Sequence, residues 1–556
     1  MPEPRNAAFD AEVARGFEFY ASLAPEVATF SGLTAHDARL PSAARDALFA
    51  RSEMLGEWGR ALASFDPKTL APDQTLDAQT LPKIHALFRF GLEDLRTWET
   101  LPDALGDVGN LYFLMTFAGY DSEERRWENM ALRLEALPSW LETWRARVTR
   151  PDPRWSRVAA EVGESFPLLL EALSTQAAKV VPGAIAQRVG AAVKSARDAA
   201  TTHTDWARKN GAGPERWSIG KDRFEELLRL KGIPLTAAEV EAIGEEQLRT
   251  LGEERARLAE QVAPGKGFAG ALALLQENRP RNFAEALAAV TSLVADSRRK
   301  VVEDGIAAIP SGEVLDVIET PEFMRPLTPF AAIFPALKYA KVQRGIYVVT
   351  PPAGPEALGD THYADLHNVV CHEGYPGHHL QLTTANQRCS PVRSVDLSGF
   401  PFYGGCVYAI DLVEGWAHYC EPLMKEHGFH DSPADRLVLV NDALWRAARV
   451  VLDVRLHSAR IDADAAIRFL SETTGMSTPG ATAEVNRYTM TPTYQLSYCI
   501  GKQQLLALKA EHRASLGPTW TERAFHDLVL EAGCIPVDEI RKAWRSGLLP
   551  TNFVLR

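Results

Sequence analysis

Between residues 372 and 379 the chain reads His372-Glu373-Gly374-Tyr375-Pro376-Gly377-His378-His379, which gathers imidazoles around a carboxylate in a protein with only 14 histidines. Neutral imidazole nitrogens and carboxylate oxygens are preferred ligands of zinc, and a glutamate next to the first histidine can take a proton from water held on such an ion. Geometry decides which histidines can cooperate. In an unbroken helix, positions six apart point ~120° away from each other and positions seven apart nearly coincide, which pairs His372 with His379. Pro376, however, has no N–H and would clash with the carbonyl of His372, and Gly374 and Gly377 weaken the helix further. A regular helix through 372–379 is therefore not expected, and once the helix breaks, the spacing alone leaves both His378 and His379 open as the second ligand beside His372.

A third protein ligand is needed, with a fourth position left to water. The best candidate lies in Val413-Glu414-Gly-Trp-Ala-His418-Tyr-Cys-Glu421. On a helix Glu414, His418 and Glu421 share one face, and their place beside Trp416 and Ala417 is costly unless something binds them. Glu414 opens this face and is the candidate for that ligand. Glu421 is a candidate to orient His372 or His378 through a hydrogen bond, and His418 is read as a supporting or surface histidine.

Amide hydrolysis also needs an oxyanion donor and a proton for the leaving amine. Arg446, Arg449, Asp453 and His457 lie on a predicted helix whose apolar positions include Leu437, Leu444 and Val451. Arg449, Asp453 and His457, four apart, read as a polar ladder, most simply a solvated ion-pair face. Further on, Arg487-Tyr488 is followed by Tyr494, Ser497-Tyr498 and Gly501-Lys502. Tyr494 and Tyr498 are candidate hydrogen-bond donors to a substrate; Arg487 and Lys502 are candidate partners for a substrate carboxylate.

These strings resemble known families. Thimet-type oligopeptidases read His-Glu-Phe-Gly-His and dipeptidyl peptidase III reads His-Glu-Leu-Leu-Gly-His; His372 to His378 looks like the same series with a further insertion. The string from His372 through Gln381, together with Glu414-Gly-Trp-Ala, resembles the signature of the bacterial family called domain of unknown function 885. That resemblance implies a gluzincin-like zinc peptidase with His372, His378 and Glu414 as zinc ligands, His379 as the rival for the second position, and Glu373 as general base. It also implies that His457 faces the site, because the family reads Arg, Asp and His at the spacing of Arg449, Asp453 and His457. Ser497-Tyr498-x-x-Gly501 matches its late motif and favours Tyr498 as the oxyanion donor. Where the family reads Pro-Gly-Gln-Ala, this chain has Pro492-Thr-Tyr494-Gln, so Tyr494 stays a competitor. Ile219-Gly220 through Phe224, Leu227 and Leu228 also looks like that family, without chemistry.

The elements that must position these groups are mostly helical. Ile185, Val189, Ala192, Val193, Ala196 and Ala200 form one apolar stripe at helical period. Thr236 with Glu239 reads as a capping box opening a helix that carries Leu251, Leu258 and Val262, and Asn282 with Glu285 opens another carrying Leu287, Val290, Val294 and Val301. Between 305 and 360 prolines cluster at 310, 321, 326, 329, 335, 351, 352 and 355. There residues 345–350 read as a strand, and 328–334 less securely because Pro329 cannot donate to a ladder. The expected fold is mainly α, with a helical lobe over 1–304 and a catalytic lobe over 305–556 holding a small sheet at about 328–350.

Composition bounds the rest. Apolar residues make up 46% and charged residues 24% of the 556, the balance of a globular protein. A net charge of -12 argues against nucleic acid as a partner. No run approaches the ~20 apolar residues that span a bilayer, and the N-terminus lacks a secretory pattern, so a cytoplasmic location is expected. The six cysteines, at 371, 389, 406, 420, 499 and 534, form no Cys-x-x-Cys pair and are expected to be buried free thiols. The expected function is a zinc metallopeptidase acting on short peptides, in a carboxypeptidase or an oligopeptidase mode. A zinc hydrolase of a non-peptide amide or ester, and a helical binding protein that retains the metal site, are the alternatives.

Overall fold

The computed structural model describes residues 5–116, 122–325, 328, 331–351, 361–398 and 407–549. The chain is mainly helical, with one three-stranded sheet among the described residues. The periodic stripes become helices as expected. Gly183–Lys209 buries Val189, Ala192, Val193, Ala196 and Ala200. The Thr236 hydroxyl and Glu239 carboxylate cap each other's backbone at the start of Ala237–Val262, and Asn282 caps Phe283–Glu303.

The sheet has the order β1-β3-β2, from β1 (Glu313–Glu319), β2 (Ala331–Phe334) and β3 (Gln343–Val349). β1 runs parallel to β3 with Leu315 opposite Gly345, and β2 runs antiparallel to it with Ile333 opposite Tyr347. The expected strands at 345–350 and 328–334 correspond to β3 and β2, although Pro329 and Phe330 lie outside the described residues, as do Pro326, Pro352, Pro355 and Cys406. β1 was not expected. Its signal is the alternation of Leu315 and Val317, which pack on the main core, with Asp316 between them.

The expected boundary at 304 does not separate two cores. Val290, Val294 and Val301 pack in one cluster with Trp416, Leu505 and Phe525. Phe224, Leu228 and Val240 pack with Val450, Val454 and Leu496, and Trp155 and Trp217 with Ala448 and Leu452. A buried ion pair, Arg393 Nε to Asp77 Oδ1 at 2.7 Å, makes a further tie across the boundary. The N-terminal helices thus share their core with the helices that carry the site. Cys371, Cys389, Cys420, Cys499 and Cys534 are buried and unpaired.

Candidate metal centre

The helix break is present. His372 lies in the last turn of Tyr363–Glu373, the chain turns through Gly374 to Gly377, and His378 opens the helix His378–Arg388. Gly377 is required by close approach, since a Cβ there would lie 1.9 Å from the His372 carbonyl oxygen. The turn contains a cis Tyr375–Pro376 bond, and Trp416 Nε1 donates to the Pro376 carbonyl at 2.8 Å. The helix Ile410–Glu426 therefore grips the turn through Trp416 and presents Glu414 to it.

His372, His378 and Glu414 converge, with one potential ligand atom from each lying within 4.8 Å of the others. Glu414 Oε2 lies 3.6 Å from His372 Nε2 and 3.3 Å from His378 Nε2, and all three side chains are buried. The two rings stand nearly perpendicular, with centroids 4.8 Å apart. His379 points elsewhere. Its Nε2 donates to Glu313 Oε2 on β1 at 2.7 Å, where Tyr375 also donates, and its ring fills the space a side chain at Gly345 would need. Glu313 also accepts from Arg298 Nε at 2.9 Å. Burial pushes the Glu313 carboxyl up, but the bonds from His379, Tyr375 and Arg298 outweigh it and hold it down at about 2.

Glu421 does orient His372. The His372 Nδ1–H donates to Glu421 Oε1 at 2.8 Å, which leaves Nε2 unprotonated toward Glu414 when the ring is neutral. Arg446 Nη2 donates to the same oxygen at 3.0 Å, and Asn368 Nδ2 to the other at 3.2 Å. His418 Nδ1 lies 3.4 Å from that second oxygen and has no hydrogen-bond partner among the described residues. Burial, and the nearby Lys502 ammonium, depress the His418 imidazole to about 3, so it is neutral. Lys502 itself is lowered by burial.

Glu414 Oε2 is buried without a hydrogen-bond partner among the described residues, while Oε1 accepts from Tyr494 OH at 2.6 Å. Burial opposes a charge on His372, but Glu414 and Glu421 outweigh it and raise the imidazole to about 9. The same contacts to His372 and His378 hold Glu414 well below the usual carboxylate range against its own burial. With His372 in its neutral form, His372 Nε2, His378 Nε2 and Glu414 Oε2 are three buried ligand atoms facing one point, and they fit a zinc ion by both position and donor type. Glu373, next to His372, is half-buried and makes no hydrogen bond or ion pair among the described residues.

Tyr498 lies over this cluster, its ring stacked on His372 at 6.2 Å with 17° between planes. Burial and the nearby Glu414 push its hydroxyl up to about 12, so it is a protonated donor, and it makes no hydrogen bond among the described residues. Two glycines bring it there. A Cβ at Gly501 would lie 1.8 Å from the Asp411 carbonyl oxygen, and one at Gly415 would lie 2.6 Å from Gly501, so the helices Ile410–Glu426 and Ser497–Leu516 meet backbone to backbone.

The polar ladder on Pro433–His457 is corrected by the structure: it is buried rather than solvated, and His457 is not with the cluster. His457 Nε2 donates to the Tyr488 carbonyl at 3.0 Å, its ring sits between Phe224 and Trp217, and burial lowers it to about 4. Asp453 accepts from the backbone N–H groups of Thr493 and Leu496 at 3.1 and 3.2 Å. Arg449 Nε donates to Tyr488 OH at 3.0 Å. Together these residues fix the segment from Tyr488 to Leu496 that leads into Tyr498. Arg487 immediately precedes that segment and donates to Glu484 Oε2 at 2.9 Å. Among the groups with no advance signal, Glu313, Glu484 and Asn368 have the clearest jobs. Asn368 was the most accessible, one helical turn before His372.

The arrangement is a mainly helical protein with a buried His–His–Glu cluster, a free carboxylate beside it and a tyrosine hydroxyl over it. The chain matches "Bacterial protein of unknown function (DUF885)" over residues 25–543 and belongs to that family. No curated protein matches it. Among solved structures it is similar to one titled "The crystal structure of the putative lipoprotein from Colwellia psychrerythraea", with 17% identity, 97% of this chain and 98% of that chain covered, and a TM-score of 0.81. A second, "a putative lipoprotein of unknown function from Shewanella oneidensis", is 20% identical with 97% and 100% covered and a TM-score of 0.76. These likenesses show the fold. No helix among the described residues is long and apolar enough to cross a membrane.

Proposed function

We propose that the protein is a zinc-dependent hydrolase of short peptides, related in its site design to the gluzincin peptidases. The observation that carries this reading is the convergence of His372, His378 and Glu414, with His372 anchored by Glu421 and Glu373 making no hydrogen bond or ion pair among the described residues. Three protein ligands is the number of a catalytic zinc site; structural sites are usually closed by four. A bound zinc would polarise the scissile carbonyl and make water acidic enough to deprotonate near neutral pH. Glu373 is the base that takes the water's proton and later passes it to the leaving amine. The Tyr498 hydroxyl donates to the carbonyl oxygen as negative charge develops there. Glu421, Arg446 and Asn368 hold His372 in one tautomer and orientation, and Tyr494 holds Glu414. His457 takes no part in the chemistry; with Asp453 it positions the segment preceding Tyr498.

The buried cluster sits inside a core shared by N- and C-terminal helices, which favours short, flexible substrates over folded proteins. Unpaired buried thiols favour a reducing compartment such as the cytoplasm. The test is incubation of zinc-loaded protein with a mixed library of short peptides, followed by mass spectrometry of the products. Cleavage should fall ~10²-fold or more in Glu373→Gln, which keeps the shape but cannot take the proton. Equal cleavage by that variant would refute the assigned mechanism. Zinc-loaded protein that cleaves no peptide would shift the reading to an ester or non-peptide amide.

A further inference from the structure

We propose, resting on the peptidase reading above, that Arg449 and Arg487 form a subsite for a substrate carboxylate, so that the protein cleaves close to the C-terminal end of a peptide. Arg449 is 4% exposed and lies between two rings, its guanidinium carbon 4.0 Å from the Trp445 centroid and 4.8 Å from that of Tyr498. Its Nη2 donates to Glu484 Oε2 at 3.0 Å, and Arg487 Nη2 donates to that same oxygen at 2.9 Å. Two guanidiniums therefore share one carboxylate, and one positive charge is left over. The other acids nearby are committed: Glu414 to the histidine cluster, Glu421 to His372 and Arg446, and Asp453 to backbone N–H groups.

Arg449 is the buried member of the pair, and a buried guanidinium that shares its one carboxylate with a second cation is under-neutralised. Arg449 Nη1 makes no hydrogen bond among the described residues, and the Arg487 side chain is 40% exposed, which leaves donors for a ligand. A planar guanidinium pairs with a carboxylate through two parallel N–H bonds, a match that a backbone carbonyl does not offer.

Placement turns this into a statement about substrate. The Tyr498 ring is 6.2 Å from that of His372, and the Arg449 guanidinium is 4.8 Å from the Tyr498 ring, so His372 and Arg449 are separated by at most about 11 Å. An extended chain advances ~3.3–3.6 Å per residue, so a carboxylate on Arg449 and Arg487 lies no more than about three residues from the scissile bond. A C-terminal carboxylate at that distance makes the enzyme an exopeptidase releasing one to three residues.

The experiment presents zinc-loaded wild type and Arg487→Gln with three matched sets of short peptides: free acids, C-terminal amides, and amides ending in aspartate. The proposal expects wild type to favour free acids over plain amides by about tenfold or more in kcat/KM, with products of one to three residues from the C-terminal end. The ratio should collapse toward one in Arg487→Gln. A ratio near one in wild type, or an unchanged ratio in the variant, overturns the subsite while leaving the hydrolase reading intact. Aspartyl amides that match the free acids would support the subsite and overturn its assignment to the chain terminus. If no peptide is cleaved, the functional reading has failed by itself, and equilibrium dialysis of the same peptides decides the subsite. Preferential retention of acids by wild type, lost in Arg487→Gln, supports it; equal retention of acids and amides overturns it.

Discussion

Gly501→Ala should damage catalysis more than it damages the fold. The added Cβ would lie 1.8 Å from the Asp411 carbonyl oxygen, whereas ordinary contact begins near 3.4 Å, so the two helices must separate locally by about 1.6 Å. Overpacking of this kind typically costs about 1–3 kcal/mol, against roughly 1 kcal/mol returned by replacing glycine inside a helix. The net loss of stability is therefore about 1–2 kcal/mol or less, within the tolerance of a folded domain. The site is less forgiving. Tyr498 is on one of these helices and Glu414 on the other, and functional groups must be held within about 0.5 Å. A displacement of about 1 Å commonly costs ~10² in rate. The three ligands belong to other elements than the Tyr498 helix, so zinc should be retained while kcat falls ~10²-fold. The assay is zinc content, chemical denaturation and peptide turnover on one preparation. Gly252→Ala is the control, because a Cβ there meets nothing within 4 Å. Wild-type turnover in Gly501→Ala would refute the claim that close helix contact sets the site.

Three further substitutions test individual polar groups. Tyr498→Phe should lower kcat ~10²-fold with little change in KM, whereas Tyr494→Phe should weaken zinc binding through loss of its bond to Glu414; kinetics and metal titration on both variants separate the roles. Glu313→Gln should lose about 2–3 kcal/mol at pH 7, because the carboxylate accepts from His379, Tyr375 and Arg298. The sign follows from a folded value near 2 against the ordinary 4.5: the contribution is present above about pH 4.5 and is lost as pH falls through 2, so denaturation midpoints of variant and wild type should converge in acid.

How much was legible in the sequence depends on the range of the physics involved. The break between His372 and His378 was readable because Pro376 and the flanking glycines act on their own backbone. Glu421 was readable because it follows Glu414 at helical period. The role of Asp453 was not, since a carboxylate that accepts from backbone N–H groups 40 and 43 residues away leaves no local pattern. His457 misled for the same reason. Its spacing from Arg449 is regular, but burial between Phe224 and Trp217 is set by the packing of a distant helix. Glu313 and β1 were hidden within a proline-rich stretch, and their partner His379 was identifiable only as a rival ligand. The mainly helical class was plain, whereas the packing that crosses residue 304 was not, because the amphipathic N-terminal helices bury their apolar faces against the C-terminal ones.

The central claim is that His372, His378 and Glu414 hold a metal, and zinc stoichiometry tests it most directly. Purified wild type should carry about one zinc per chain, as a single three-ligand site requires. His378→Ala should lose that zinc, and His379→Ala, which removes only the bond to Glu313, should keep it. Wild type that takes up no zinc when the metal is supplied, or zinc retained in His378→Ala and lost in His379→Ala, would contradict the account.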